Sequence, residues 1–136
     1  MKFWRLASND PAIVEAALNS GQWRSKVDRD LRALSVGDRL VFFCTSGKTP
    51  GYLGIGTLTG GLSTGNDPEL PFQVTFDADT RLKQPLKQDA VRKTLQAARL
   101  RIRYQPLFVL ELSAAEFQVM SRMITQESRR TDPAAL

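Results

Sequence analysis

The chain has 136 residues, of which 42% are hydrophobic, and these values predict a single domain with one apolar core. The absence of histidine argues against most zinc sites and against imidazole catalysis, and the single cysteine cannot form an internal disulfide. The formal net charge of +5 favours anionic partners.

The first half of the chain is predicted to contain strands and helices. In chain order, the predicted elements are a strand at 2–7, a helix at 11–20, a helix at 22–34, and strands at 39–45 and 51–60. Asn9 or Asp10 is the expected N-cap of the first helix, because Pro11 suits the first helical position. Apolar residues within 26–34 recur at helical spacing, which predicts the second helix, with Ser25 as its cap.

The second half of the chain is predicted to alternate strands and helices. The predicted elements are a strand at 70–78, a basic helix at 86–100, a strand at 106–112 and a helix that Ser113 caps. Short links between strands favour antiparallel pairing, so we predict an α+β fold with a mixed, mostly antiparallel sheet, curled towards a barrel and flanked by helices. The domain is predicted to span residues 1–125, and the polar residues 126–136 are predicted to form a flexible tail.

The sequence shows no signal that directs a protein into or across a membrane. Its apolar runs are shorter than the roughly 18 residues that span a bilayer, and polar residues interrupt the N-terminal segment too early for a signal peptide. We therefore expect a cytoplasmic protein that does not bind a membrane. Cys44 lies in the apolar run LVFFC, which is typical of a packed small side chain.

The stretch VFFCTSGKTPGYLGIG, residues 41–56, resembles two different structures. Gly47, Lys48 and Thr49 could end a phosphate-binding loop, but such a loop needs a further glycine where this chain has Phe42. Pro50 also disfavours a helix starting at the lysine. The stretch is therefore predicted to form a strand, a turn and a second strand, and nucleotide hydrolysis is not expected.

Carboxylates are the remaining candidates for catalysis in a chain without histidine. Asp28 and Asp30 alternate with basic residues, which is typical of a solvated, salt-bridged surface. Asp77 and Asp79 follow a predicted strand, where aspartate commonly forms a turn. We expect no enzyme activity, no catalytic residue, no metal and no cofactor, although a metal-dependent nuclease using Asp77 and Asp79 is an alternative.

Positive charge is concentrated in residues 80–104, which contain a single acidic residue, Asp89. A solvated basic helix would explain this pattern, and so would a surface that contacts nucleic-acid phosphates. The candidate phosphate contacts on the predicted helix are Lys87, Arg92 and Lys93.

Residues 1–112 resemble an EVE domain of the PUA-like superfamily, most specifically over 36–58. The matching residues are Trp4, Trp23, Gly37, Asp38, Val41, Phe42, Phe43, Ser46, Lys48, Pro50, Gly51, Gly54 and Ile55. EVE domains are similar to the YTH readers of methylated adenine. The resemblance implies a PUA-like fold and binding of DNA or RNA that carries a modified base, notably modified cytosine, flipped into an aromatic pocket. It also implies that the domain could act with a separate effector protein.

A flipped base needs aromatic faces for stacking, hydrogen-bonding groups at its edge, and cations for the flanking phosphates. The aromatic candidates are Trp23, Trp4, Phe43 and Tyr52, each with core burial as the alternative. The candidates for edge hydrogen bonds are Ser8, Asn9, Thr45 and Ser46, each with capping or turn formation as the alternative. The nearby cations are Arg24 and Lys48. A second reading is a PUA-like module that uses the same pocket for a small ligand or a protein.

Overall fold

The protein forms one sheet with helices on both faces. A computed structural model describes residues 1–29, 31–46, 50–100 and 108–131, apart from the side chain of Thr131. In chain order its elements are β1 (Phe3–Ser8), α1 (Pro11–Ser20), β2 (Gln22–Ser25), β3 (Arg39–Cys44), β4 (Gly51–Thr64), β5 (Phe72–Lys87), α2 (Gln88–Ala97), β6 (Val109–Leu112) and α3 (Ala114–Thr131).

The strands form a mixed sheet in the order β2-β5-β4-β3-β1-β6. β1 and β3 are parallel, with Phe3 opposite Arg39, and the other neighbouring strands are antiparallel. The sheet curls strongly into a half-barrel, which brings its outer strands towards each other. The predicted α+β fold with a mixed, mostly antiparallel curled sheet is therefore confirmed.

One face of the sheet packs against α1 and the segment that follows β2. Successive side chains of a strand point to opposite faces, so Leu6 and Phe42 face α1 whereas their chain neighbours point away from it. The buried residues of this face also include Val14 of α1 and Leu31. We call this the α1 face.

The opposite face packs against α2 and α3. Its core includes Val41 and Phe43 of β3, Val91 of α2, and Phe117 and Met120 of α3, all nearly inaccessible to solvent. We call this the α2/α3 face. The sheet therefore separates two apolar clusters.

The ends of α1 follow the sequence prediction. The Asp10 side chain accepts a hydrogen bond from the Ala12 amide at 2.9 Å, and Pro11 occupies the first helical turn, so Asp10 is the N-cap. Gly21 has φ of 72°, a left-handed conformation that favours glycine, and its amide donates to the Ala17 carbonyl at 2.8 Å.

The predicted helix over 22–34 is wrong. Residues 22–25 instead form β2, which pairs with β5, and the Ser25 hydroxyl accepts from the Val27 amide in a local turn rather than capping a helix. Beyond it, the Leu31 amide bonds to the Asp28 carbonyl at 3.0 Å in a turn. Leu31 is nevertheless fully buried, as its spacing predicted.

Other boundaries also differ from the predictions. β4 and β5 form a longer antiparallel pair than expected, because β4 extends to Thr64 and β5 extends to Lys87. A Cβ atom at Gly54 would lie 2.5 Å from the Thr80 carbonyl oxygen, so this glycine lets the two strands approach closely. The predicted start of the tail at residue 126 is wrong, because α3 continues to Thr131. Glu127 and Arg130 form an ion pair within this part of the helix. Residues 132–136 lie outside the described residues.

A capping box starts α3. The Ser113 hydroxyl accepts from the Glu116 amide at 3.1 Å, and the Glu116 carboxylate accepts from the Ser113 amide at 2.9 Å.

Replacing Ser113 with alanine should lower the free energy of unfolding by about 1 kcal/mol, because the Glu116 amide loses its acceptor, the Ser113 hydroxyl. Urea unfolding followed by circular dichroism measures the change. Ser113→Thr retains the hydroxyl and should retain most of the stability, so an equal loss in both variants would contradict the capping explanation.

Among the described residues, α3 is the longest helix, and neither it nor a shorter one is apolar enough over a sufficient length to cross a membrane.

Candidate functional site

Trp23 lies on β2, at one edge of the sheet, opposite Val74 of β5. Only 4% of its surface is exposed, and its ring packs on Phe42 of the α1 face with ring centroids 5.9 Å apart and planes tilted by 32°. The indole is therefore part of the core. It also borders a cavity, so Trp23 is both a core residue and part of a cavity wall, the two alternatives that the sequence left open.

This cavity, which we call the Trp23 cavity, has a volume of about 350 Å³ and opens between the two ends of the curled sheet. Its lining residues are Ala7, Ser8, Asn9, Ile13, Trp23, Arg24, Ser25, Lys26, Val27, Leu31, Leu70, Phe108 and Val109. β2 supplies one wall, and the end of β1 with the start of β6 supplies the other. The curl of the sheet creates the cavity, because β2 and β1 are far apart in the strand order.

Hydrogen-bonding groups of the cavity come from the end of β1. The Ser8 hydroxyl accepts from the Asp10 amide at 3.1 Å, and a hydroxyl can donate and accept at the same time. Asn9 is exposed, and its side-chain amide offers both a donor and an acceptor. The predicted pair of Ser8 and Asn9 therefore lies in the same cavity as Trp23.

Two cations line the cavity, Arg24 on β2 and Lys26 directly after it. The Arg24 guanidinium donates to the Gln22 side chain at 2.8 Å and lies 3.9 Å from the Asp67 carboxylate. Arg24 is partly exposed, and an exposed pair at this distance contributes little to stability, so its charge remains accessible to an anion. Lys26 is also exposed.

Phe108 is an aromatic residue of the cavity that the sequence reasoning missed. Half of its surface is exposed, and its carbonyl accepts from the Ala7 amide at 2.7 Å, which fixes its backbone to β1. The chain offers no clear signal for it, since Leu110 and Leu112, which alternate with it, are both buried in the core. Phe108 supplies an accessible aromatic surface that Trp23 alone does not.

Phe43 and Tyr52, predicted to form the other aromatic wall, lie on the α2/α3 face and do not share a cavity with Trp23. Their ring centroids are 4.6 Å apart, and the Arg5 guanidinium lies 5.2 Å from the centre of the Phe43 ring. Burial raises the pKa of Tyr52, and Arg5 opposes that shift through its charge and a hydrogen bond. The prediction failed because consecutive residues of β3 point to opposite faces, and Phe42 occupies the α1 face.

Trp4 is buried in the α1 face, and the structure assigns it to the core. Its indole N–H donates to the Asp38 carboxylate at 2.9 Å, and the Lys2 and Ser35 amides donate to the same carboxylate at 3.0 Å each. Burial alone would raise the pKa of Asp38, but these hydrogen bonds outweigh it and hold the pKa below its ordinary value.

The residues after β3 lie next to the Trp23 cavity without lining it. The Thr45 amide donates to the Ser8 carbonyl at 2.9 Å, and the Ser46 hydroxyl donates to the Asn9 carbonyl. These bonds make Thr45 and Ser46 supports for the end of β1. Lys48, the predicted cation of this turn, lies outside the described residues.

The basic helix is shorter than predicted and begins after Lys87. Lys87, Arg92 and Lys93 are all exposed, and Arg92 lies 3.5 Å from the Asp89 carboxylate. α2 packs on the α2/α3 face through Val91, so Arg92 and Lys93 are on the other side of the sheet from the Trp23 cavity, whereas Lys87 is the last residue of β5. Contact with a nucleic acid remains a prediction for them.

In the alternative nuclease pair, Asp79 already has partners. Asp79 accepts a hydrogen bond from the Thr57 hydroxyl at 2.8 Å and forms an ion pair with Arg39 at 3.3 Å. Across the ranges that the structure describes, no group of three potential metal-binding side chains occurs.

Sequence comparisons do not identify the chain. No family model matches it. No curated protein matches it.

Solved structures do resemble it. A hypothetical protein from Leishmania major has a TM-score of 0.71 at 19% identity, with 93% of this chain and 96% of that chain covered. Human THYN1, solved in complex with DNA containing 5-methylcytosine, has a TM-score of 0.66 at 14% identity, with 90% and 97% covered. The Mmi1 YTH domain in complex with RNA has a TM-score of 0.67 at 10% identity, with 92% and 78% covered. The predicted fold is therefore confirmed: the chain has the PUA-related fold of EVE and YTH domains.

Proposed function

We propose that this chain is a non-catalytic nucleic-acid-binding domain that holds one flipped-out, modified base, for example a methylated cytosine, in the Trp23 cavity. The observation that carries the proposal is that one cavity brings together two aromatic residues, Trp23 and Phe108, with the polar side chains of Ser8 and Asn9 and a cation, Arg24. These are the groups that a flipped base and its flanking phosphate require.

The size of the cavity suits one base. Ligand sites commonly have volumes of about 300–1,000 Å³, and the 350 Å³ of the Trp23 cavity is near the lower limit. Leu31, fully buried, gives the cavity an apolar wall. An extra methyl group on a base would gain from contact with such a wall, which supports a preference for a methylated base.

The solved structures support the same function. Human THYN1 was solved with DNA that contains 5-methylcytosine, and the Mmi1 YTH domain with RNA. A domain that binds without catalysis leaves the nucleic acid unchanged. We therefore propose that a separate effector protein acts once the modified base is bound.

Replacing Phe108 with alanine should weaken binding of an oligonucleotide with a single 5-methylcytosine by about 5- to 150-fold, because base stacking contributes roughly 1–3 kcal/mol. The stability of the fold should change little, since half of the Phe108 surface is exposed. Fluorescence anisotropy with modified and unmodified DNA, and with RNA carrying a methylated base, measures the affinity.

The control is Val36→Ala, which removes an exposed apolar side chain outside the cavity, 67% of it accessible. Unchanged affinity in Phe108→Ala, or an equal loss in both variants, would contradict the assigned site. A thermal-shift measurement with free nucleosides distinguishes the alternative: a shift with nucleosides and no binding of oligonucleotides would indicate a small-ligand module.

A further inference from the structure

A second cavity lies on the opposite side of α1 from the Trp23 cavity, with a volume of about 670 Å³. Residues from α1, the end of β3, β4 and β5 line it, including Glu15, Leu18, Ser46, Leu53, Arg81 and Lys83. We call it the Arg81 groove.

The Arg81 groove combines cations with an apolar surface. The Arg81 guanidinium donates to the Asn19 side-chain oxygen, which is neutral, so this bond positions the guanidinium without cancelling its charge. Lys83 is exposed and makes no ion pair with a described residue. Among the described residues of the lining, Glu15 is the one carboxylate, which leaves an excess of positive charge.

The two cavities adjoin at the start of α1. Asn9 lines the Trp23 cavity and Ser46 lines the Arg81 groove, and the Ser46 hydroxyl donates to the Asn9 carbonyl. Pro11, two residues after Asn9, also lines the groove. Two residues span at most about 7 Å, so the rims are within reach of adjacent nucleotides of one strand.

We propose that the Arg81 groove binds the nucleotide next to the flipped base, with its phosphate on Arg81 and Lys83 and its sugar or base on Leu18 and Leu53. The inference rests on the proposed function and extends it from one base to two successive nucleotides. Guanidinium and ammonium groups are suited to phosphate, and an apolar floor accepts the flat face of a base without requiring a particular sequence.

The test uses the double variant Arg81→Gln, Lys83→Gln and the matched double variant Arg122→Gln, Arg129→Gln. The control removes the same charge from exposed positions of α3, which packs on the other face of the sheet. Binding is measured by anisotropy for a labelled nine-nucleotide single strand with a central 5-methylcytosine, over a range of salt concentrations. Isothermal titration with 5-methyldeoxycytidine measures the single-base site alone.

The groove variant should bind the free nucleoside as the unaltered protein does but bind the strand more weakly. The slope of log K against log salt should fall in magnitude by roughly 0.7, the change expected for the one phosphate that the variant no longer neutralises. The α3 control should retain both the affinity and most of the slope. Equal slopes in the groove and control variants would overturn the proposal while leaving the Trp23 cavity as a base site.

Two other results would also overturn it. Unlabelled poly-glutamate could displace the strand from the unaltered protein as effectively as unlabelled DNA does. If poly-glutamate then fails to displace the strand from the groove variant, the groove binds acidic protein instead. If the unaltered protein binds neither DNA nor RNA, modified or unmodified, both the groove assignment and the proposed function fail.

Discussion

Replacing Trp23 with alanine is expected to lower the free energy of unfolding by about 3–5 kcal/mol, as for other large-to-small substitutions of buried aromatic residues. The indole is only 4% exposed and packs on Phe42, so its removal opens a hole between β2 and the α1 face. Denaturant unfolding measures this loss. Under the proposed function, the variant should also lose its preference for a modified base, while weak salt-dependent binding to unmodified strands remains.

Loss of stability and loss of the base site must be separated. Trp23→Leu keeps much of the apolar volume but has no aromatic face, so it should fold better than the alanine variant and still lose the preference. Trp4→Phe provides the control, because it weakens the same core by removing the indole N–H donor to Asp38, outside the cavity. Should Trp4→Phe lose the preference to the same degree at comparable stability, Trp23 would have no specific role in binding.

Replacing Asp38 with alanine is expected to cost about 3 kcal/mol, because each buried donor left without a partner costs roughly 1–3 kcal/mol. The carboxylate accepts from the Trp4 indole and from the Lys2 and Ser35 amides, and only 3% of the residue is exposed. Asp38→Asn should be intermediate, because its amide oxygen can accept at most two of the three bonds and its amide nitrogen can accept none. Chemical unfolding at neutral pH compares the variants, and a change below about 0.5 kcal/mol in Asp38→Ala would refute this role.

The same carboxylate predicts a pH dependence with a definite sign. The pKa of Asp38 in the folded protein is lowered from 3.8, so its stabilisation is present above that pH and is lost as the pH falls through the folded value. The difference in unfolding free energy between the unaltered protein and Asp38→Asn should therefore shrink in acid. A constant difference from pH 7 down to pH 2 would show that ionisation of Asp38 does not stabilise the fold.

Local signals in the sequence predicted much of the fold. Asp10 followed by Pro11, and Ser113 followed by Glu116, specify helix starts through hydrogen bonds within a few residues, and both occur as expected. The helix predicted over 22–34 failed for a physical reason. The spacing of Leu31 and Leu34 correctly indicated burial, but burial on one side does not require a helix when β5 offers backbone partners to residues 22–25.

The candidate site was predicted in part. Trp23, Ser8, Asn9 and Arg24 meet in one cavity as their chemistry suggested. Phe43 and Tyr52 were assigned to the wrong side of the sheet, because their proximity in a hairpin does not fix which face their side chains occupy. Phe108 reaches the cavity only through the curl of the sheet. This curl depends on contacts between distant parts of the chain, so the residues next to Phe108 in the sequence do not predict it.

The placement of β1 has a consequence for how the chain folds. β1 lies between β3 and β6, so it pairs with residues 39–44 and 109–112, which are synthesised after it. The sheet cannot be completed until the segment through Leu112 has been synthesised, and until then one edge of β1 lacks its partner. Nascent chains halted before Leu112 should thus remain sensitive to proteases, and chaperones that shield unpaired strand edges have a defined interval in which to act.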